Sequence, residues 1–205
     1  MVELLVGLAV GLFIVVGATK LFADYLVDSR RLLVETRINQ DLRAAADIVA
    51  RDLRRSSYWQ NALAGVAYPA ASNPFRLVTP VGSASAATVT YSFDNPSTPG
   101  APQLGFRLNG NVVEMQLGGG NWQALTDPRT VQVTQFSIQP VHREVPIGSY
   151  CTPACTASSP GCPSVVVRQF QIVLRGNAPS PNTQVVRELN ESVRLRNDEI
   201  TGACP

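Results

Sequence analysis

The chain has 205 residues, enough for one domain with an appendage, and carries a net charge of +2. That charge is too small to suggest a nucleic-acid footprint, which usually needs a basic stripe on one face, so nucleic acid is unsupported as a partner; charged residues make up only 16%. Hydrophobic residues reach 45% but crowd into the first thirty positions, whereas the 15 Pro and 15 Gly fall nearly all after residue 64. That division predicts helix first, then turns and short strands.

The first element is apolar. Glu3 stands before an uncharged run, 4–19, that includes Leu4, Leu5, Val6, Leu8, Val10, Leu12, Phe13, Ile14, Val15 and Val16. A membrane-spanning helix needs roughly 20 such residues. Lys20 can snorkel, and Leu21, Phe22 and Ala23 extend the run. A cleaved signal peptide would begin with basic residues and end in a small-residue site. A buried soluble helix would show a polar stripe. Neither fits, so a retained membrane helix is expected over 1–23.

The second element continues it. From 24 to 58 there is no Pro or Gly, charges become frequent, and Ile38, Leu42, Ala45, Val49 and Leu53 recur at helical spacing. An amphipathic continuation over 24–58 is predicted, about 80 Å long together with the first part at 1.5 Å per residue. The alternative is a break between Lys20 and Asp24.

Beyond it, 59–205 reads as a β-rich globular domain. Residues 87–93 alternate as a half-buried strand does. Residues 104–117 read as a hairpin turning at Asn109-Gly110. Residues 130–141 place Val131 and Val133 on one face but Phe136 and Ile138 on the other, which predicts a bulge or bend. A long strand is expected over 165–175 and another over 184–196, with Val185, Leu189, Val193 and Leu195 on one parity. The fold class is α+β, a long N-terminal helix packed on an antiparallel β-sheet.

The cysteines are Cys151, Cys155, Cys162 and Cys204, three of them in a loop of Pro, Ser, Thr and Ala. The spacing C-x3-C-x6-C and a single histidine, His142, argue against zinc. Two disulfides are expected, in one of three pairings, and they imply an oxidising compartment. No enzyme signature stands out, and no metal or cofactor is expected. His142 reads as a surface residue, Gly118-Gly119-Gly120 as a loop, and Tyr58-Trp59 as a pair closing the helix onto the sheet. Arg54-Arg55 reads as a solvated helix end, and Asp94, Asn95, Asp127 and Asp198 are too scattered for a calcium loop.

The opening Glu3-Leu4-Leu5-Val6-Gly7-Leu8-Ala9-Val10, followed by an unbroken helix and a cysteine-bearing sheet, resembles type IV pilins and the pseudopilins of type II secretion. More narrowly, Gly11-Leu12-Phe13, the stretch from Ala50 to Trp59, and Ser192-Val193-Arg194-Leu195-Arg196-Asn197 resemble minor pilins of the PilW class. The resemblance implies a structural subunit that initiates or caps a pilus serving motility, adhesion or DNA uptake. It implies a single pass through the bacterial inner membrane, a periplasmic globular domain, and a place in the pilus after assembly. The partners it implies are other major and minor pilins and the inner-membrane assembly platform.

It also implies a role for Glu3, which would meet the N-terminal amine of a neighbouring subunit. In this family a short basic leader ending in Gly is cut by prepilin peptidase. Only Met1 and Val2 precede Glu3 here, so that processing is expected only with a leader encoded upstream. Arg30, Arg31 and Arg37 alone would put the C-terminal side in the cytoplasm; the cysteines argue for the periplasm. The alternatives are a J-type pseudopilin of a type II secretion system and a membrane-anchored periplasmic binding module that never polymerises.

Overall fold

The computed structural model describes residues 2–65, 71–81, 83–95, 97, 103–156, 158–179 and 185–205. Met1, Ala157 and Gln184, which the expected elements include, lie outside the described residues. One helix, α1, runs unbroken through Val2–Arg55. The alternative break between Lys20 and Asp24 does not occur. Residues 2–28 are exposed along the whole length of that segment. Burial begins further on, at Ile38, Leu42, Ala45, Ala46, Val49, Ala50 and Leu53, the 3–4 spacing that keeps one stripe on one side. The helix ends where Ser57 adopts φ +63°, the left-handed conformation that stops α-helices.

After a 3-10 turn at Ala62–Gly65 the strands follow in antiparallel pairs. The single sheet anticipated from the sequence is two four-stranded sheets. The first joins β1 (Thr88–Tyr91), β2 (Leu104–Asn109), β3 (Val112–Leu117) and β4 (Trp122–Ala124) in chain order. The second joins β5 (Gln132–Pro146), β6 (Ser164–Asn177) and β7 (Val186–Arg194), with β8 (Glu199–Thr201) also paired to β6. β4 and β8 have three residues each, too few for an alternating pattern to be visible in the sequence.

The β2–β3 hairpin turns one residue later than its Asn-Gly signal suggests. Asn109 pairs with Val112, so the two-residue loop is Gly110-Asn111. The positive φ, +59°, sits at the first loop position, as in a II′ turn, where glycine costs nothing. The face switch in β5 is a bulge. Val133 pairs with Gly176 and Gln135 with Arg175, leaving Thr134 as the extra residue. Both Thr134 and Gln135 face solvent, and Val133, Phe136 and Ile138 are all buried.

The helix stripe and both sheets share one core, with Phe106, Ile138, Ile172 and Leu174 among its largest buried members. Fully burying a Leu or Ile contributes about 1.5–3 kcal/mol. The ion pair between Glu35 and Arg187 of β7 is part-exposed, and such pairs contribute at most about 1 kcal/mol. Apolar burial therefore docks the helix, and the ion pair sets where docking begins. Gly176 permits the approach: a Cβ there would lie 2.6 Å from Val131 Cγ2 and 3.3 Å from Leu42 Cδ2.

Candidate functional site

The residues singled out in the sequence lie at opposite ends of the molecule. Glu3 sits in the first turn of α1. Some 35 residues of helix separate it from Ile38, about 50 Å at 1.5 Å per residue. A carboxylate in the first turn is favoured by the helix dipole. The apolar residues after it present their side chains outward, from 54% exposure at Val10 to 82% at Phe13. Leu4, Leu5, Val6, Leu8, Leu12, Ile14, Val15 and Val16 fall between these values. This helix is long and apolar enough to cross a membrane.

Two details suit this segment to a low dielectric. Thr19 Oγ1 donates to Val15 O at 2.6 Å, so the one hydroxyl in the run is satisfied within the helix. Gly7 and Gly11 stand four apart, and a Cβ on either would meet nothing within 4 Å, the small-xxx-small spacing at which helix backbones approach closely. That spacing was readable in the sequence and is a signal that hydropathy alone passes over.

At the junction with the domain, Asp52 gathers two donors. Tyr91 Oη donates to its Oδ2 at 3.0 Å and Arg55 Nη2 to its Oδ1 at 2.8 Å. Burial, then the Asp52 charge and the hydrogen bond to it, push the Tyr91 hydroxyl far above its ordinary value. Arg55 also lies over the Phe93 ring, 4.8 Å from its centroid. Arg54 is exposed. Tyr58 and Trp59 are half-buried; Arg196 covers the Tyr58 ring at 5.4 Å, and Trp59 lines a polar cleft.

The cysteines occupy the far end of the β5–β6 arm. Cys155 bonds Cys162 within the loop, and Cys151 bonds Cys204, which fastens the C-terminal tail to it. Gly148 is buried where any Cβ would strike Cys162 Sγ and both the carbonyl and the sulfur of Cys155. No charged residue occurs from 145 to 167, and Tyr150 stands 87% exposed there. His142 is exposed on β5. Among the described residues no cluster of His, Cys, Asp and Glu could hold a metal ion.

On the first sheet, Glu114 accepts from Asn109 Nδ2 at 3.0 Å and from Arg107 Nε at 2.7 Å, which together hold its carboxyl below the usual range. Arg107 in turn lies 4.2 Å from the Trp122 ring centroid. This cross-strand cluster explains why so short a strand as β4 stays paired.

A long helix, bare over its first half and laid on antiparallel sheets over its second, is the arrangement of a type IV pilin-like protein. A family model agrees: residues 31–195 match that of prepilin peptidase-dependent protein B. The chain belongs to that family. The match takes in the middle of the globular domain, where the sequence offered no motif, and leaves Glu3 outside it. No curated protein and no solved structure matches the chain.

Proposed function

We propose that this protein is a minor pilin of the PilW class, which helps initiate or caps a type IV pilus. One observation carries the reading: a single 54-residue helix holds Glu3 in its first turn and leaves its apolar first half exposed. Residues 1–23 hold the chain in the inner membrane before assembly and pack among the helices of other pilins afterwards. Residues 24–58 carry the domain, and 59–205 form it. The disulfides favour the periplasm for that domain. The family's name points to processing by prepilin peptidase, which requires a leader encoded ahead of Glu3.

The physical case for Glu3 rests on dielectric. A charged side chain costs roughly 2.5–3.5 kcal/mol at the bilayer centre on insertion scales, and less near the edge. Opposite charges 4 Å apart attract by about 4 kcal/mol at an effective dielectric constant near 20. A neighbouring subunit's terminal ammonium thus turns a liability into a register mark. Gly7 and Gly11 give the helices a face for close approach.

The test is incorporation. In cells expressing Glu3→Ala, the protein should remain in the membrane fraction while its amount in sheared filaments falls at least tenfold. Unchanged incorporation would sink the assembly role and leave a simple membrane anchor. The filament in which the wild-type chain appears, pilus or secretion pseudopilus, separates the PilW class from the J-type pseudopilin.

A further inference from the structure

The two disulfides at the far end of the β5–β6 arm are built on one another. Cys155 and Cys162 lie 7 residues apart, whereas Cys151 and Cys204 lie 53 apart. The chance that two points of a flexible chain meet falls roughly as the −3/2 power of the residues between them, which favours the short loop about twentyfold. The short bridge can close unaided. The long one needs both of its cysteines to be placed.

Cys151 is placed through Gly148. The Gly148 carbonyl accepts from Cys151 N at 3.2 Å and from Cys155 N at 3.1 Å, so one oxygen sets the backbone of both cysteines. Gly148 in turn lies hard against the Cys155–Cys162 bridge. A Cβ there would stand 2.2 Å from Cys162 Sγ and 2.8 Å from Cys155 Sγ. The carbonyl that orients Cys151 therefore belongs to a residue packed on the short bridge.

Cys204 is placed from the other side. Ala203 N donates to Gly161 O at 2.9 Å. Gly202 comes so close that a Cβ on it would stand 2.5 Å from Gly161 O and 2.8 Å from Cys162 O. Cys162 N donates back to Ser159 O at 3.2 Å, which closes the turn that the short bridge spans. The tail before Gly202 is held by β8, three residues paired with Ser164–Val166, and by the Arg76–Glu199 ion pair, in which both side chains are part-exposed. A three-residue strand and one exposed ion pair are weak holds. The strand they pair with begins two residues after Cys162.

We propose that the C-terminal tail is a redox-gated strap. The Cys155–Cys162 disulfide forms first and makes the seat on which residues 202–204 close, bringing Cys204 to Cys151. The chemistry is thiol–disulfide exchange with a disulfide oxidant, for which oxidised glutathione is the probe. One cysteine thiolate attacks a glutathione sulfur and expels a glutathione thiolate, leaving a mixed disulfide. The second cysteine thiolate attacks the protein sulfur of that mixed disulfide and expels the other glutathione. Each protein bridge thus reduces one oxidant molecule to two thiols. At equilibrium the two bridges strengthen each other by the same factor, so the order shows in the rates. The proposal is independent of the role of Glu3.

The full reduced chain in detergent micelles is oxidised in a glutathione buffer and quenched by alkylation at intervals, and its bridges are followed by peptide mass spectrometry. Cys155–Cys162 is expected to close at least fivefold faster than Cys151–Cys204, and to keep its rate in Cys151→Ser/Cys204→Ser. In Cys155→Ser/Cys162→Ser the long bridge should close at least fivefold more slowly. Gly202→Ala keeps all four cysteines and spoils only the seat. There too the long bridge should slow at least fivefold, while the short bridge keeps its rate, which separates loss of the seat from loss of the fold. A long bridge that closes first, or that slows less than fivefold in either variant, overturns the proposal. So does a short bridge slowed by Gly202→Ala or by removal of Cys151 and Cys204.

Discussion

Ser57 holds the least comfortable backbone among the described residues, the only non-glycine there with a positive φ, +63°. Its hydroxyl is buried without a partner, while its carbonyl accepts from Asn73 Nδ2 at 2.9 Å and Asn197 Nδ2 at 3.2 Å. The side chain thus contributes nothing that the backbone does not. Ser57→Gly should remove both the left-handed penalty and the orphan hydroxyl, raising stability by about 1 kcal/mol after the extra unfolded-state entropy is offset. Thermal denaturation in detergent reads it. Tyr91 makes a prediction in pH. The fold holds its pKa well above the ordinary value of about 10, so the folded chain keeps a proton that the unfolded chain sheds. The stability it contributes is full below pH ~10 and is lost progressively as pH rises above that. Tyr91→Phe should cost about 1–2 kcal/mol at neutral pH and flatten that alkaline decline. A decline unchanged in the variant would assign it elsewhere.

At the scale of elements, the bulge in β5 is the clearest test of register. Removing Thr134 leaves Val133, Phe136 and Ile138 alternating toward the core without a bulge, so the deletion should cost no more than about 1 kcal/mol. Removing Ser137 instead turns Ile138 to solvent and should cost about 3 kcal/mol or more. Chemical denaturation of the two deletions, side by side, decides it. The bulge was legible because the buried positions Val131, Val133, Phe136 and Ile138 change parity along one stretch, and parity is a long-range pattern. The helix was legible for the same reason, since its stripe repeats over many turns. β4 and β8 were not legible. Three residues hold no period, and their pairing comes from Arg107 under Trp122 and from a tail tied back at Cys204. The division into two sheets was equally hidden, because it depends on which strands meet and not on what each strand is. Glu3 stood out in the sequence as a charge at the lip of an apolar run, and an assembly role for it came only from the family resemblance. The polar cleft that Trp59 lines draws on residues from 59 to 202, far apart in the chain, and no local pattern announces it.

Across the whole molecule, the two disulfides close loops of different size. Cys151–Cys204 spans 53 residues and Cys155–Cys162 spans 7. On the chain-entropy account, the first contributes about 4 kcal/mol and the second about 2.4 kcal/mol. Cys204→Ser should therefore lower the melting temperature more than Cys162→Ser does; the reverse order would locate the stabilisation in the small loop's own packing around Gly148. The long bridge has a mechanical side as well. The helix enters the domain at one end of the second sheet, and the cysteine loop caps the other end of its β5–β6 arm. A tug on that cap pulls β5 and β6 together and, through Cys204, hauls on the segment that follows β7. Tension is thus divided among several strands, and their cross-strand bonds are sheared all at once instead of unzipping one by one.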